Sequence, residues 1–294
     1  MYGGIEAGGT KWVCAVSGVP GEVGETVSFA TTTPQETLGR ATAFFAQHGE
    51  IVALGVGSFG PLDLHPGSPT WGRITTTPKS GWSDTDVAAA LSGALGVPIA
   101  IDTDVNAAAL AEHRWGSAMG LGTFCYITVG TGIGGGGLVN GELMHGLIHP
   151  EFGHMRVPHD RERDPFDGVC PYHGDCLEGL ASGSAMLARW GLPAEDVTDQ
   201  LAWHLEAEYL ALCIANVTCV LSPERVVIGG GVMAQPILLP RIRERVEGLL
   251  GGYFSAPALN GGLAGYIVAP SLGARAGVLG ALELARMLVA GARA

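Results

Sequence analysis

Short apolar runs alternate along the chain with longer stretches in which apolar residues recur at helical spacing, a pattern typical of α/β proteins. The short runs predict strands at Ile5 and at residues 12–16, 51–56, 99–101, 124–129, 226–228 and 267–269. The longer stretches predict helices over residues 107–115, 237–250 and 274–289. We therefore expect an α/β fold in which several strands end in glycine-rich turns.

A strand, a glycine-rich turn and a second strand occur twice, in GGIEAGGTKWVCAV (residues 3–16) and in FCYITVGTGIGGGGLVNGEL (residues 124–143). This repetition predicts two related halves, although glycine-rich hairpins are also common by themselves. A helix that ends in WGSAMGLG places the boundary between the halves near residues 115–121.

Composition narrows the class of protein. The chain has 294 residues, 47% apolar and 15% charged, so it can bury a large core in two domains. A formal net charge of −12 without a basic stripe argues against a nucleic-acid partner. No signal peptide is recognisable, and the most apolar stretch, residues 209–221, is too short to span a bilayer, so we expect a cytoplasmic protein with no membrane partner. There the six cysteines stay reduced, and a cysteine cluster indicates a metal or packing.

Glycine-rich turns can offer backbone N–H groups to phosphate oxygens. The first candidate turn adds a hydroxyl and an ammonium group to its glycines and consists of Gly8, Gly9, Thr10 and Lys11. The second contains Thr131 and Gly132, and the third, with room for a flat nucleoside, contains Gly230 and Gly231. Phosphate turns in both halves predict a nucleotide cleft between domains. Each could equally be an ordinary tight turn, and the first lacks P-loop spacing.

An acidic segment, Asp102-Thr103-Asp104, follows a predicted strand and opens a predicted helix. The end of a strand is where α/β proteins place ligand contacts, so a carboxylate here could take a proton from a sugar hydroxyl that attacks a phosphoryl group. The alternative is structural: Asp102 could be a charge at the helix N-terminus, and Asp104 could be an N-cap.

A cysteine and histidine cluster predicts a metal site. The sequence CPYHGDC contains the spacing C-x2-H-x2-C, and a histidine precedes it in PEFGH. The four expected ligands are His154, Cys170, His173 and Cys176, a set suited to tetrahedral zinc. Because all four positions are filled by protein, we expect a structural rather than a catalytic zinc ion. The alternative is a loop with incidental reduced cysteines and surface histidines.

Taken together, the motifs resemble the ROK family of sugar kinases, most closely its fructokinase branch. The similar segments run from residue 4 to about residue 283 in family order: IEAGGTKWVCAV, GSFGPLDL, TTPKSGW, DTDVNAAALAE, TVGTGIGGG, HGLIHPEFGH and CPYHGDCLEGLASGSA.

This resemblance implies an actin-like, hexokinase-like (ribonuclease H-like) two-domain fold with an interdomain nucleotide cleft. It implies a small domain of residues 1–116 with a closing helix, residues 274–290, packed back on it, and a large domain of residues 117–273 that carries the zinc loop. It also implies ATP with Mg²⁺, a sugar substrate and a homodimer.

The resemblance assigns roles to individual residues. Asp104 matches the catalytic base of the family. The positions that match sugar-binding residues are Gly60, Pro61, Asn106, Glu151, His154 and Glu178. The positions that match phosphate and nucleoside contacts are Gly8, Gly9, Thr10, Lys11, Thr131, Gly132, Gly230 and Gly231.

Three departures from the family pattern bear on the substrate. Glu6 and Thr103 stand where glucokinases of the family usually have Asp and Asn, and His173 replaces a cysteine of the usual zinc motif. These differences favour an ATP-dependent fructokinase, which phosphorylates the 6-hydroxyl of D-fructose. One alternative is a kinase for another hexose, such as glucose or mannose. The other is a non-catalytic, sugar-responsive regulator, which is disfavoured by the intact Asp104 and by a first glycine-rich turn that lies as early as residues 8–11.

Overall fold

The computed structural model describes residues 1–291. Its strands are β1 Tyr2–Ala7, β2 Lys11–Ser17, β3 Thr26–Ala30, β4 Leu54–Ser58, β5 Ile99–Thr103, β6 Phe124–Val129, β7 Ile133–Val139, β8 Glu142–Leu143, β9 Arg225–Gly229 and β10 Ile267–Val268. Its α-helices are α1 Pro34–Ala46, α2 Val87–Leu95, α3 Asp104–Trp115, α4 Leu177–Ala181, α5 Gly183–Trp190, α6 Gln200–Leu221, α7 Leu238–Leu250 and α8 Ala276–Gly291.

The chain forms two units. Unit 1 contains Met1–Met119, the short segment Leu143–Pro150 and the C-terminal segment that begins at Leu272. Unit 2 contains Gly120–Glu142 and Glu151–Ser271. The chain therefore leaves unit 2 once, for the segment 143–150, and then returns to it.

The two sheets of the described chain share one topology. The first has the strand order β3-β2-β1-β4-β5, and the second has the equivalent order read from its other end, β10-β9-β6-β7-β8. In each, an antiparallel hairpin (β1–β2 or β6–β7) is joined to a parallel neighbour of its first strand, β4 or β9. This shared order confirms the predicted repetition of a glycine-turn hairpin in two related halves.

Several predicted boundaries differ from the structure. Helix α3 begins at Asp104 and not at residue 107, because Thr103 accepts a hydrogen bond from the backbone N–H of Asn106 and so forms the N-cap. Strand β4 begins at Leu54 and not at residue 51. Helix α8 begins at Ala276, two residues later than predicted. The apolar pattern also missed helices α1 and α2, although a proline and a glutamate follow Thr33 at the start of α1, as at many helix N-termini.

Within residues 1–291, α6 is the one helix long and apolar enough to cross a membrane. The expectation that this region is too short was wrong, because polar residues in its first half hid the start of a helix that runs over 22 residues. In the structure 61% of its most apolar window is buried, and a core helix passes the same test of length and composition. The length and apolar composition of α6 are therefore weak support for a membrane span.

Helix α8 packs against β1, β4 and α3 in unit 1. The close approach depends on glycine: a Cβ atom on Gly55 of β4 would lie 1.8 Å from the carbonyl oxygen of Ala281, and one on Gly280 would lie 1.7 Å from that of Ala107. No side chain fits at either position, so the backbone of α8 is in direct contact with the backbones of β4 and α3.

Replacing Gly280 by alanine should therefore destabilise unit 1. The new methyl group would meet the rigid backbone of α3, and overpacking of this kind costs about 1–3 kcal/mol. The matched control is Gly39→Ala, in an exposed part of α1 where no described atom beyond the adjoining residues and backbone of α1 lies within 4 Å of the added methyl group. That variant should gain up to about 1 kcal/mol from helix propensity. Urea denaturation of both variants tests the prediction, and equal stability of the two would contradict it.

Candidate active site

Three parallel strands of unit 1 end at the same edge of its sheet. Ala7 pairs with Ser58, and Ser58 pairs with Thr103, so the carboxyl ends of β1, β4 and β5 are level. The first glycine-rich turn, the Gly60–Pro61 loop and the start of α3 follow these three strands directly. The structure thus brings together three of the predicted groups, in the position where parallel sheets hold ligands.

The first glycine-rich turn is closed by a hydrogen bond from the N–H of Gly8 to the carbonyl oxygen of Lys11, 3.0 Å. Thr31, which directly follows β3, holds this turn with two hydrogen bonds. Its hydroxyl donates to the carbonyl oxygen of Gly8, and its N–H donates to the carbonyl oxygen of Thr10. Within the described residues, the amides of Gly9 and Thr10 have no protein acceptor. Such amides, beside the exposed ammonium group of Lys11, suit an anionic ligand.

Asp104 is the first residue of α3 and is half-buried. The N-cap is Thr103, so the alternative that Asp104 caps the helix is wrong. One carboxylate oxygen of Asp104 accepts the N–H of Val105 at 2.9 Å. Burial nevertheless raises the pKa of Asp104 to about 6, because a poorly solvated site disfavours the charged form. A carboxyl group with this pKa can accept a proton near neutral pH.

A second carboxyl group, Glu6 at the end of β1, lies near Asp104. Its pKa is raised to about 7, first by burial and then by the negative charge of Asp104, while the ammonium group of Lys11 opposes the shift. Glu6 also lies against the start of α8, where a Cβ atom on Gly277 would come within 2.5 Å of its carboxyl carbon. The negative charge of Asp104 therefore makes Glu6 harder to ionise.

Asp102 does more than place a charge at the start of a helix. Its Oδ1 accepts hydrogen bonds from the N–H of Thr103 and from the side-chain amide of Asn106, at 2.7 and 2.9 Å. Its Oδ2 lies 2.8 Å from Nε2 of His145. The side-chain amide of Asn106 also donates to the carbonyl oxygen of Met144, at 3.2 Å. Asn106, predicted to contact the sugar, thus directs its amide into the protein.

A second histidine of the segment 143–150 supports the loop after β4. Nε2 of His149 accepts the N–H of Leu62 at 2.9 Å, and its ring lies against Gly60. Because Nε2 accepts, it carries no hydrogen and the ring is neutral. Burial lowers the pKa of His149, which favours the same neutral form. The predicted sugar-side residues Gly60 and Pro61 are therefore held by a histidine that sequence reasoning did not select.

In unit 2, the second and third glycine-rich turns also share one edge, since Thr128 of β6 pairs with Gly229 of β9. Gly230 adopts a φ of +102°, and a Cβ atom there would lie 2.3 Å from the carbonyl oxygen of Val129. Only glycine permits this approach of the third turn to the second. Gly231 follows at the start of a short 3-10 turn, Val232–Ala234.

Glu178 lies on α4 beside the second glycine-rich turn. Its Oε2 accepts the N–H of Ile133 at 2.8 Å, and a Cβ atom on Gly132 would lie 2.5 Å from the same oxygen. The hydroxyl of Ser184 donates to the carbonyl oxygen of Thr131 at 2.8 Å. The predicted sugar ligand Glu178 and the predicted phosphate residues Thr131 and Gly132 therefore occupy one place in unit 2.

The four predicted metal ligands converge. Nδ1 of His154 lies 3.3 Å from Nδ1 of His173 and 3.7 Å from Sγ of both Cys170 and Cys176. Sγ of Cys170 lies 3.6 Å from Nδ1 of His173. Ideal tetrahedral zinc requires about 3.3 Å between two nitrogen ligands and about 3.6 Å between nitrogen and sulfur, given its usual bond lengths. The donor atoms therefore fit a tetrahedral zinc ion.

The loop around these ligands is held by its own backbone. Cys170 and Gly174 exchange a pair of N–H to carbonyl hydrogen bonds, at 3.2 and 2.9 Å. Arg156 donates to the carbonyl oxygen of His173 and pairs with Asp175, each at 2.6 Å. Cys176 is the N-cap residue of α4, so the cluster directly precedes the helix that carries Glu178. Glu151 immediately precedes the 3-10 turn Phe152–His154, which supplies the fourth ligand.

Sequence reasoning missed His145, His149 and the pairing role of Asp102. The signal available was the density of histidines in MHGLIHPEFGH, but no regular spacing distinguishes a ligand there from a surface side chain. Their partners became visible only once the fold placed this segment against β5 and the loop after β4.

Comparisons with known proteins identify relatives that cover nearly the whole chain. The fructokinase of Zymomonas mobilis is 44% identical over 294 residues, which cover 97% of this chain and 96% of that protein. The fructokinase of Streptococcus mutans is 39% identical and covers 99% of both chains. A solved ROK family glucokinase from Streptomyces griseus, in complex with glucose and AMPPNP, has a TM-score of 0.79 and 26% identity, and the match covers 97% of this chain and 99% of that one.

The family model described as "ROK family" matches residues 2–287. Together with the two sheets of equal topology, these matches confirm the predicted α/β, actin-like fold. The match spans nearly the whole sequence, and relatives well above 30% identity cover it as well, so this chain belongs to the ROK family.

Proposed function

We propose that this protein is an ATP-dependent fructokinase, which transfers the γ-phosphoryl group of ATP to the 6-hydroxyl of D-fructose. The observation that carries the proposal is the identity of 39–44% to several fructokinases over most of the chain. The glucokinase of similar fold was solved with glucose and AMPPNP, an ATP analogue, which supports the same pairing of a sugar with a nucleotide.

In the proposed reaction, Asp104 accepts the proton of the 6-hydroxyl as that oxygen attacks the γ-phosphorus atom. A new oxygen–phosphorus bond forms, the bond from the γ-phosphorus to the bridging oxygen breaks, and ADP leaves with the electron pair. The raised pKa of Asp104 supports this role, because a stronger base takes the proton more readily. Mg²⁺, when bound with ATP, neutralises charge on the phosphate oxygens.

The remaining predicted residues supply positioning in this proposal. Residues 8–11 and the turn with Thr131 and Gly132 would hold phosphate oxygens, and Gly230 and Gly231 would leave room for the nucleoside. Glu151, His154 and Glu178 would bind sugar hydroxyls, with Gly60 and Pro61 lining the same sugar. The homodimer and the cytoplasmic location stay predictions from the family resemblance.

A panel of hexoses assayed with ATP and Mg²⁺ tests the substrate and the base together. We expect fructose to give the highest kcat/KM among fructose, glucose, mannose and N-acetylmannosamine. Asp104→Asn should lower kcat on fructose by roughly 10²–10⁴-fold, because the base is lost, and should leave sugar binding measurable by calorimetry. The control is Asp196→Asn, at an exposed position. Preference for glucose or mannose would support the rival hexose kinase, and an active Asp104→Asn variant would refute the base.

The pH dependence of kcat/KM should report the pKa of Asp104. Since the base must be ionised, the rate should fall about tenfold per pH unit below about pH 6 and level off above it. Both Asp104 and Glu6 have raised pKa values in the fold, so their contribution to stability is present at low pH and is lost as pH rises through about 6 and about 7. Because Asp104 loses its proton near pH 4 in the unfolded chain and near pH 6 in the fold, the stability of the wild type should fall relative to Asp104→Asn from about pH 4 to about pH 6 and level off above it. A rate that stays constant down to pH 5 would contradict the assignment.

We also propose that a structural zinc ion binds His154, Cys170, His173 and Cys176. The ligand separations support it, as does the closed set of four donors. When bound, the ion would hold the loop before α4 and so keep Glu178 in place for the sugar.

Zinc removal tests this proposal. Cys170→Ser and His173→Ala should each lose the roughly one zinc ion per chain that elemental analysis finds in the wild type. They should melt about 5–10 °C lower, and their KM for fructose should rise. Cys219→Ser, which changes an exposed cysteine, is the matched control and should keep the metal. Full activity and stability of the Cys170→Ser variant after chelation would refute a zinc ion that supports the sugar site.

A further inference from the structure

A hydrogen-bonded chain of three side chains in unit 1 has one buried end and one exposed end. Asn106 is 0% exposed and Asp102 is 3% exposed, whereas the side chain of His145 is 44% exposed. Asn106 donates its side-chain amide to Asp102 and to the carbonyl oxygen of Met144. With both hydrogens directed to protein acceptors, that amide has none left to donate to a ligand.

His145 is held by one ring nitrogen. Its Nε2 lies 2.8 Å from Oδ2 of Asp102, and because a carboxylate only accepts hydrogen bonds, Nε2 carries the hydrogen. Among the described residues, Nδ1 of His145 has no hydrogen-bond partner. The imidazole is therefore held at Nε2, and its Nδ1 is available to a ligand.

The position of this imidazole relates it to the sugar-side groups of unit 1. Asp102, which holds it, precedes the proposed base Asp104 by two residues at the end of β5. His149, in the same short segment, holds the N–H of Leu62 directly after the Gly60–Pro61 loop. His145 thus belongs to a segment that contacts both the strand end before the base and the loop assigned to the sugar.

We propose that Nδ1 of His145 binds a hydroxyl group of the hexose substrate, and that Asp102 and Asn106 are positioning residues that orient the imidazole. This inference rests on the proposed hexose kinase function. It replaces the expected sugar contact of Asn106 with one made by the exposed end of the same network.

The chemistry suits a sugar hydroxyl in either protonation state of the ring. A neutral imidazole accepts the hydroxyl hydrogen at Nδ1, and an imidazolium donates to the hydroxyl oxygen. The hydrogen bond to Asp102 raises the pKa of His145, so the imidazolium form persists to higher pH than in a free histidine. No proton needs to leave the ring during the reaction.

Two substitutions separate a sugar contact from a purely structural brace. His145→Gln places an amide near the position of Nε2, so it keeps a donor for Asp102 but lacks the group at Nδ1. His145→Asn places an amide near Nδ1 and lacks the contact with Asp102. We expect His145→Gln to raise the KM for fructose by roughly 10–100-fold while the KM for ATP changes less than about twofold, and His145→Asn to restore part of the lost affinity.

His204→Gln, at an exposed position of α6, is the matched control and should resemble the wild type. Circular dichroism and melting temperature identify any variant that fails to fold, and the other substitution then decides. A wild-type KM for the sugar in His145→Gln, or a loss of kcat alone, would show a brace without substrate contact and overturn the proposal.

The same comparison separates this inference from the proposed function. If the wild type prefers another hexose, the substrate assignment fails, and the KM ratio of His145→Gln to wild type on that hexose still decides the role of His145. If the wild type turns over no hexose, calorimetric binding of fructose to both proteins decides it, and equal affinities overturn the inference. An absence of any sugar binding by the wild type overturns both.

Discussion

The crowding of acidic groups where three parallel strands end is the constraint on which the rest of unit 1 depends. Glu6, Asp102 and Asp104 follow or close strands β1 and β5, and all are poorly solvated. Three ionised carboxylates cannot share such a place without compensation. Asp102 receives three hydrogen-bond donors, from Thr103, Asn106 and His145. Asp104 and Glu6 have raised pKa values instead, so the fold surrounds one of the three groups with donors and makes the other two stronger bases.

Local sequence motifs predicted some parts of the site, and contacts between distant residues determine the rest. The spacing in CPYHGDC was sufficient to predict that the four candidate zinc ligands converge, whereas the local pattern left Asp104 open between a base and a cap, and the family resemblance selected the base. The N-cap at Thr103 could be distinguished from one at Asp104 only by the observed hydrogen bond to Asn106. His145 and His149 find their partners 43 and 87 positions away in the chain, and no local pattern encodes such a contact. The strand order could be anticipated only as a repetition of hairpins.

The apolar pattern also missed the polar first half of α6 and the start of α1. Periodicity was sought in apolar residues, but His204 and Glu206 interrupt the apolar run of α6 even though Glu206 is fully buried. Tertiary packing accommodates a buried carboxyl group whose pKa burial raises well above its ordinary value. A pattern that sorts positions by polarity assigns such a residue to the surface. The start of α6 was therefore missed, because the fold buries a side chain that is usually exposed.

Strand β7 consists largely of glycine, with the sequence IGGGGLV. The ring of Phe152 lies where a side chain on Gly135 would be, and the carbonyl oxygen of Ile133 lies where one on Gly153 would be, so the 3-10 turn that carries His154 rests directly on the strand's backbone. A strand with so little intrinsic preference for extended structure depends on its neighbours for order. These neighbours include residues that leave the ribosome later, among them Glu178 on α4, which accepts the N–H of Ile133. The second hairpin is therefore expected to become ordered only after the cysteine loop has been synthesised.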